Sequence, residues 1–169
     1  ANIVPVVNQS LTQSEIAKHQ LDAIAFTQGP GLMGALMVGH SFGRTLGLAL
    51  DLPLLAVNHL HGHHLSHLIE DPVPPFPFLN LLVSGGHAQL VLMHSPLSYE
   101  LIGQTIDDAA GEALDKGAQM LGLSYPGGPA IDHHARAGDP DAFSFPRSDI
   151  KGYNFSFSGL KTALLYFLR

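Results

Sequence analysis

Between Leu21 and Val57 the chain reads strand, glycine loop, long apolar helix, strand, and no other stretch narrows its possible folds as much. Leu21 to Thr27 and Leu54 to Val57 are apolar runs too short for helices and bounded by turn residues, the pattern of strands buried on both faces. The loop Gln28-Gly29-Pro30-Gly31 closes the first run, and Gly34 to Leu50 predicts a long, mostly apolar helix. Strand, crossover helix and strand make the βαβ grammar of an α/β layer. With 46% hydrophobic and 13% charged residues over 169 positions, the chain has enough apolar surface to bury such a core.

The second strand delivers a histidine-rich helix, expected from about His59 to Glu70, and the segment Asp71 to Pro77 then interrupts the chain with four prolines. This segment reads as a linker between two lobes, 1–75 and 76–169. Beyond it the texture changes: Phe78 to Ser84 and His87 to His94 predict strands joined by a tight Gly85-Gly86 turn, with a third strand near Tyr99 to Gln104. A partly antiparallel sheet feeding into helices follows. Gly34, Gly39, Gly43 and Gly47 leave small surfaces along the first lobe's helix, suited to close packing inside the chain or to a dimer through the Gly34–Leu50 helix.

Charge excludes one function class for the chain acting alone. The net charge is −6 with only 8 Lys and Arg, too few basic groups for independent nucleic-acid binding, so a nucleic-acid partner needs other segments or subunits. The absence of cysteine removes disulfides and thiolate metal ligands and fits a reducing compartment. Apolar runs break before the ~18 residues of a membrane span. The start, Ala1-Asn2-Ile3-Val4-Pro5, lacks an initiator Met and a signal pattern, and is expected to lie inside a longer protein, on a helix covering Ala1 to Val7.

Four clusters carry chemistry. His59 and His63 stand four residues apart, so on a helix they are separated by ~6 Å of rise and ~40° of rotation and can face one ion. Leu60 occupies the place where a zinc protease of the H-E-x-x-H kind has its glutamate base. The plainer reading is a His-rich helix end with solvated or capping imidazoles. Ser84-Gly85-Gly86 sets two residues without side chains at a strand-to-strand turn, where backbone N–H groups can approach a phosphate; an ordinary hairpin turn uses the same residues. Tyr125-Pro126-Gly127-Gly128-Pro129 opens a helix around Ala130 to Ala137, and a helix N-terminus offers free donors. Between these loops a helix from Thr105 to Lys116 carries Asp107, Asp108, Glu112 and Asp115. Asp107 is expected to cap it, while Asp108, Glu112 and Asp115 share a face whose repulsion a ligand's hydroxyls or a cation would relieve. Lys116 and Lys161 are expected as solvated surface lysines, a phosphate contact being the alternative reading for either.

Taken in order, Thr27 to Leu32, Asn58 to His63, Leu82 to His87, Ile106 to Lys116, Tyr125 to Pro129 and Phe155 to Thr162 resemble the signature of the TsaD/Gcp family across essentially the whole chain. The resemblance implies an α/β fold of the actin/Hsp70/sugar-kinase-like ATPase type, partial and in two lobes: 1–75 as the second part of the first lobe and 76–169 as the first part of the second. It implies transfer of a threonylcarbamoyl group from threonylcarbamoyl-AMP to N6 of adenosine 37 in tRNAs reading codons that begin with A. It also implies one divalent metal, iron or zinc, per subunit at His59 and His63. An adenine nucleotide or threonylcarbamoyl-AMP is expected against Leu82, Val83, Ser84, Gly85, Gly86, Asp115, Gly128 and Asp132. Partners are tRNA and, in a bacterium, TsaB- and TsaE-like proteins, in the cytoplasm. No nucleophile is evident, which favours direct transfer. Family members also carry an early Asp-Thr-Ser-Cys-like segment, a Gly-Gly-Val-x-x-Asn segment and a late metal-binding Asp, none of which occurs here, so the sequence reads as an interior piece. His61, His64 and His67 add imidazoles off the His59/His63 face unless the helix breaks at Gly62. The alternatives are a metalloprotease, against which Leu60 counts, and a non-catalytic nucleotide- or metal-binding scaffold.

Overall fold

The computed structural model describes residues 2–169, so Ala1 of the expected first helix lies outside the described residues. The chain is mixed α/β and divides into two compact units, the first ending at Asp71 and the second running from Pro72 to Arg169.

In the first unit, helix α1 (Ile3–Gln13) precedes strand β1 (Ile24–Gly29), helix α2 (Met33–Leu50), strand β2 (Leu54–Asn58) and helix α3 (His59–Leu65). The strands pair in parallel, Ile24 opposite Leu54 through Thr27 opposite Val57. β1 starts later than its apolar run because the partner begins only at Leu54, and the first bond of the pair is Ile24 N–H to Pro53 O at 2.9 Å. α2 lies across the pair on two of its glycines. A Cβ on Gly43 would stand 3.2 Å from Phe26 Cβ, and one on Gly47 would collide with Leu54, whereas Gly34 and Gly39 have nothing near. The expectation of a sheet buried on both faces fails here, since every residue of β2 is exposed: a two-stranded sheet is narrower than the layer it needs on each side. α3 also stops short of Glu70. The Ser66 hydroxyl donates to His63 O at 2.8 Å, and the chain tightens into a 3-10 turn over Ser66–Leu68.

The second unit is an antiparallel meander, β3 (Phe78–Val83), β4 (Ala88–Ser95) and β5 (Ser98–Gln104), followed by helices α4 (Ala110–Met120), α5 (Gly127–Ala135) and α6 (Ser158–Phe167). One face of the sheet buries Val91 and Met93 completely, with the buried Asn80 directly opposite Val91, while Leu79, Leu81 and Val83 alternate onto an exposed face. α4 packs on α5 and α6; a Cβ on its Gly117 would make ordinary contacts at 3.5 Å to Leu164 and 3.7 Å to Ile131. Between β5 and α4 the chain is stitched to a distant segment. Ile106 N–H donates to Phe155 O at 2.9 Å, Phe155 N–H to Gln104 O at 3.0 Å, and Thr105 bridges Phe155.

Candidate metal pair and nucleotide wall

In the first unit, β1 and β2 both end at one level, Gly29 opposite Asn58, and α3 starts there at His59. Open parallel sheets bind ligands at this carboxyl end of their strands. Asn58 Oδ1 accepts from Leu60 N–H at 2.9 Å and His61 N–H at 3.1 Å, which fixes the first turn of α3. The ring nitrogens His59 Nε2 and His63 Nε2 then face each other at 3.2 Å. Two metal–nitrogen bonds of ~2.0–2.1 Å at a tetrahedral angle hold their nitrogens about 3.3 Å apart, so the pair fits two positions on one ion. Among the described residues no group of three or more His, Asp or Glu gathers for a complete set. α3 runs unbroken through Gly62, and His64 turns inward, only 2% exposed. Burial, and then the nearby His61, His63 and His67, keep its imidazole below the usual histidine range. His59 also borders an apolar cavity of about 650 Å³ between α1, β1 and α2.

In the second unit α4 is the spine of the candidate site. Its Gly111 sits against the Gly85 turn so closely that a Cβ would lie 2.7 Å from Gly85 Cα and 2.8 Å from Ser84 O, and Gly111 N–H donates to Ser84 O at 3.2 Å. One turn on, Asp115 Oδ1 accepts from Gly127 N–H at 2.7 Å. Gly127 is equally constrained, since its Cβ would lie 2.6 Å from Asp115 Cα. Ser84 to Gly86, Asp115 and the Gly127-Gly128 opening of α5 thus line up along one helix face, positions 111 and 115 being one turn apart. The turn itself is closed internally: Ser84 N–H donates to His87 O at 2.8 Å and His87 N–H to Ser84 Oγ at 3.1 Å. Ser84 Oγ is spent on its own hairpin, but a Cβ on Gly85 or Gly86 would meet nothing, so the backbone there is open to a ligand. Leu82 and Val83 are the last residues of β3 before the turn. Asp132 is exposed on α5 and paired with Arg136 at 2.8 Å.

The acidic cluster resolves differently from its sequence reading. α4 begins at Ala110, and its N-cap position, Ala109, has no side-chain cap, so Asp107 does not cap it. Asp107 instead caps α6, accepting from Phe157 N–H at 2.9 Å, Ser158 N–H at 3.3 Å, and the hydroxyls of Ser156 and Ser158 at 2.5 and 2.6 Å. Desolvation pushes its carboxyl up, but these four donors outweigh it and hold the group well below the usual carboxylate range. Asp108 is not on a shared face with Asp115, which turns to Gly127. It accepts from Lys161 and, at 2.9 Å, from Lys116, which also reaches Glu112 at 2.6 Å. The repulsion expected to need a ligand is relieved by these lysines, neither of which is a free surface cation. Their bonds, first Lys161 and then Lys116, depress Asp108, and Glu112 followed by Asp108 raises Lys116.

A model of the family TsaD, tRNA N6-adenosine threonylcarbamoyltransferase, matches residues 1–168. The chain belongs to that family. It is 56% identical, over 99% of its length, to the tRNA N6-adenosine threonylcarbamoyltransferase of Porphyromonas gingivalis, of which it covers 51%. The proteins of the same name from Christiangramia forsetii and Cytophaga hutchinsonii are 54% and 53% identical, covered to 50% and 49%. The chain therefore spans about half the length of the curated TsaD relatives it matches. Among solved structures, YeaZ from Pseudomonas aeruginosa aligns at a TM-score of 0.44 and 17% identity, covering 98% of this chain and 75% of that one. Among the described residues no helix of this TsaD chain is long and apolar enough to cross a membrane.

Sequence reading missed four features of the TsaD chain. Asn58 before a helix is a capping signal that was legible. Glu112 and Lys116 at i, i+4 predict an ion pair. Lys161 on Asp108 and Ser156 on Asp107 had no local signal, because about fifty residues separate the partners.

Proposed function

We propose that this chain supplies the metal-holding pair and part of the nucleotide wall of an enzyme that transfers a threonylcarbamoyl group from threonylcarbamoyl-AMP to N6 of adenosine 37 in tRNA. Family membership over residues 1–168 carries this reading. In it, the two units are pieces of the lobes of an actin/Hsp70/sugar-kinase-like fold. The amine of adenosine attacks the carbamoyl carbonyl, the bond to AMP breaks, and the amine loses its proton. A divalent ion, iron or zinc, when held by His59 and His63, would supply Lewis-acid chemistry to the reaction. The backbone at Gly85 and Gly86 donates to the leaving phosphate, and the Asp115 carboxylate, anchored through one oxygen on Gly127 N–H, presents the other to the ribose. Gly128 and Asp132 border the same nucleoside. Such chemistry needs no protein nucleophile. Leu60 in place of a glutamate base disfavours proteolysis.

With a net charge of −6 the chain needs other segments or subunits to hold tRNA. TsaB- and TsaE-like proteins or a second copy of the chain are the proposed partners, in the cytoplasm, and Met33, Met37, Val38 and Leu48 leave α2 an exposed apolar surface for one of them. The test is a full-length protein containing this chain, supplied with partner proteins, ATP, threonine, bicarbonate and unmodified tRNA. Mass spectrometry of the nucleosides should show threonylcarbamoyladenosine, lost in Asp115→Ala. Its absence, with metal-dependent cleavage of a glycoprotein instead, overturns the reading.

A further inference from the structure

Outside the residues assigned to metal and nucleotide, a charge network of Asp108, Glu112, Lys116 and Lys161 joins side chains at the root of α4. The Asp108 side chain is 13% exposed and both of its oxygens are engaged. Its two lysines do different work. Lys116 lies on α4 itself and is also held by Glu112, so its bonds brace only the first two turns of that helix. Lys161 comes from α6, and its ammonium is, among the ion pairs of the described residues, the one that ties α4's root to another helix. Its aliphatic stem lines an apolar cavity of about 320 Å³ between α4, α5 and α6, beside Leu114, Ile131 and Leu164.

The consequence lies in what α4's root carries. The root is fixed on one side by Asp107 to the start of α6 and on another by Gly111, seated on the Ser84-Gly85 backbone with no room to spare. A rigid helix pivoting at that root moves both the Gly111 seat and, one turn later, the Asp115–Gly127 bond. We infer that Lys161, through its ion pair with Asp108, is a positioning residue: it sets the seat of α4 on the Ser84–Gly86 turn and hence the spacing of that turn from Asp115 and Gly127. The part of this inference that concerns a ligand rests on the nucleotide reading of the wall.

Two substitutions separate positioning from folding. Lys161→Met keeps the apolar stem in its cavity and leaves Asp108 neutralised by Lys116, so the unit still folds; Lys161→Arg restores a cation of similar reach. In a full-length protein containing this chain, amide exchange at Gly111, whose N–H donates to Ser84 O, is followed without ligand, and ADP affinity is measured by calorimetry. Lys161→Met should speed exchange at Gly111 and weaken ADP binding about 10-fold, in line with the cost of a sub-ångström misplacement in a preorganised site. Lys161→Arg should return both towards wild type. Unchanged exchange and affinity in Lys161→Met, or a Lys161→Arg variant as impaired as Lys161→Met, overturns the inference. A wild-type protein that binds no ADP refutes the nucleotide reading instead, and exchange at Gly111 then decides the positioning role alone.

Discussion

Replacing Gly111 by alanine sets two known effects against each other. Alanine gains up to ~1 kcal/mol over glycine inside a helix, so propensity alone predicts a more stable second unit. The added Cβ, however, would lie 2.7 Å from Gly85 Cα, 2.8 Å from Ser84 O and 3.0 Å from Gly85 N, all backbone atoms that no rotamer change can move. Carbon atoms rest at about 3.5 Å or more, so helix and turn must part by roughly 0.8 Å, and overpacking of this kind costs ~1–3 kcal/mol. The Gly111 N–H bond to Ser84 O, already 3.2 Å, would lengthen further. The expected net result is a loss of about 1–2 kcal/mol. Gly117→Ala is the matched control on the same helix: its Cβ would meet Leu164 and Ile131 at 3.5 and 3.7 Å, ordinary contact, and the substitution should stabilise by ~0.5–1 kcal/mol. Urea unfolding followed by circular dichroism reads both, since the chain has no tryptophan to report by fluorescence. If Gly111→Ala is as stable as wild type, or is stabilised as Gly117→Ala is, then the close seat of α4 on the glycine turn is wrong and the wall loses its rigid corner.

The metal pair makes a separate prediction: zinc titrated into a full-length protein containing this chain should bind at least ~10-fold more weakly in His59→Ala, and calorimetry showing equal affinity would remove His59 from the site. Acid should act on the second unit through Asp107 and Asp108. Both carboxyls are depressed in the folded chain, so their contribution is fully present above the unfolded carboxyl value of ~3.9 and is lost as pH falls from there through the lower folded values. Urea midpoints should hold from these two groups between pH 7 and 5 and drop below about pH 4, and Asp107→Asn should flatten that drop; an unchanged slope in the variant would show that the α6 cap contributes nothing.

Most of the local structure in this protein was legible in its sequence. The period of the apolar runs announced β1, α2, β2 and the three-strand meander to within a few residues, because a strand or helix is specified by neighbours within one or two turns. The i, i+4 spacing of His59 and His63 was enough to bring their nitrogens together, because a single helix holds both. Where the partner of a residue came from elsewhere, sequence reading failed. Asp107 has the chemistry of a cap and sits near a helix start, yet it caps α6, because the bridge between Thr105 and Phe155 brings that helix's free N–H groups to it before α4 begins. Lys161 reads as a solvated cation until the packing of α4 on α6 brings it to the largely buried Asp108 and makes its charge that group's counterpart. The glycines divide the same way. Gly85-Gly86 marked a turn from sequence alone, but only the folded chain shows that Gly111 and Gly127 are glycine because another backbone lies where a Cβ would be.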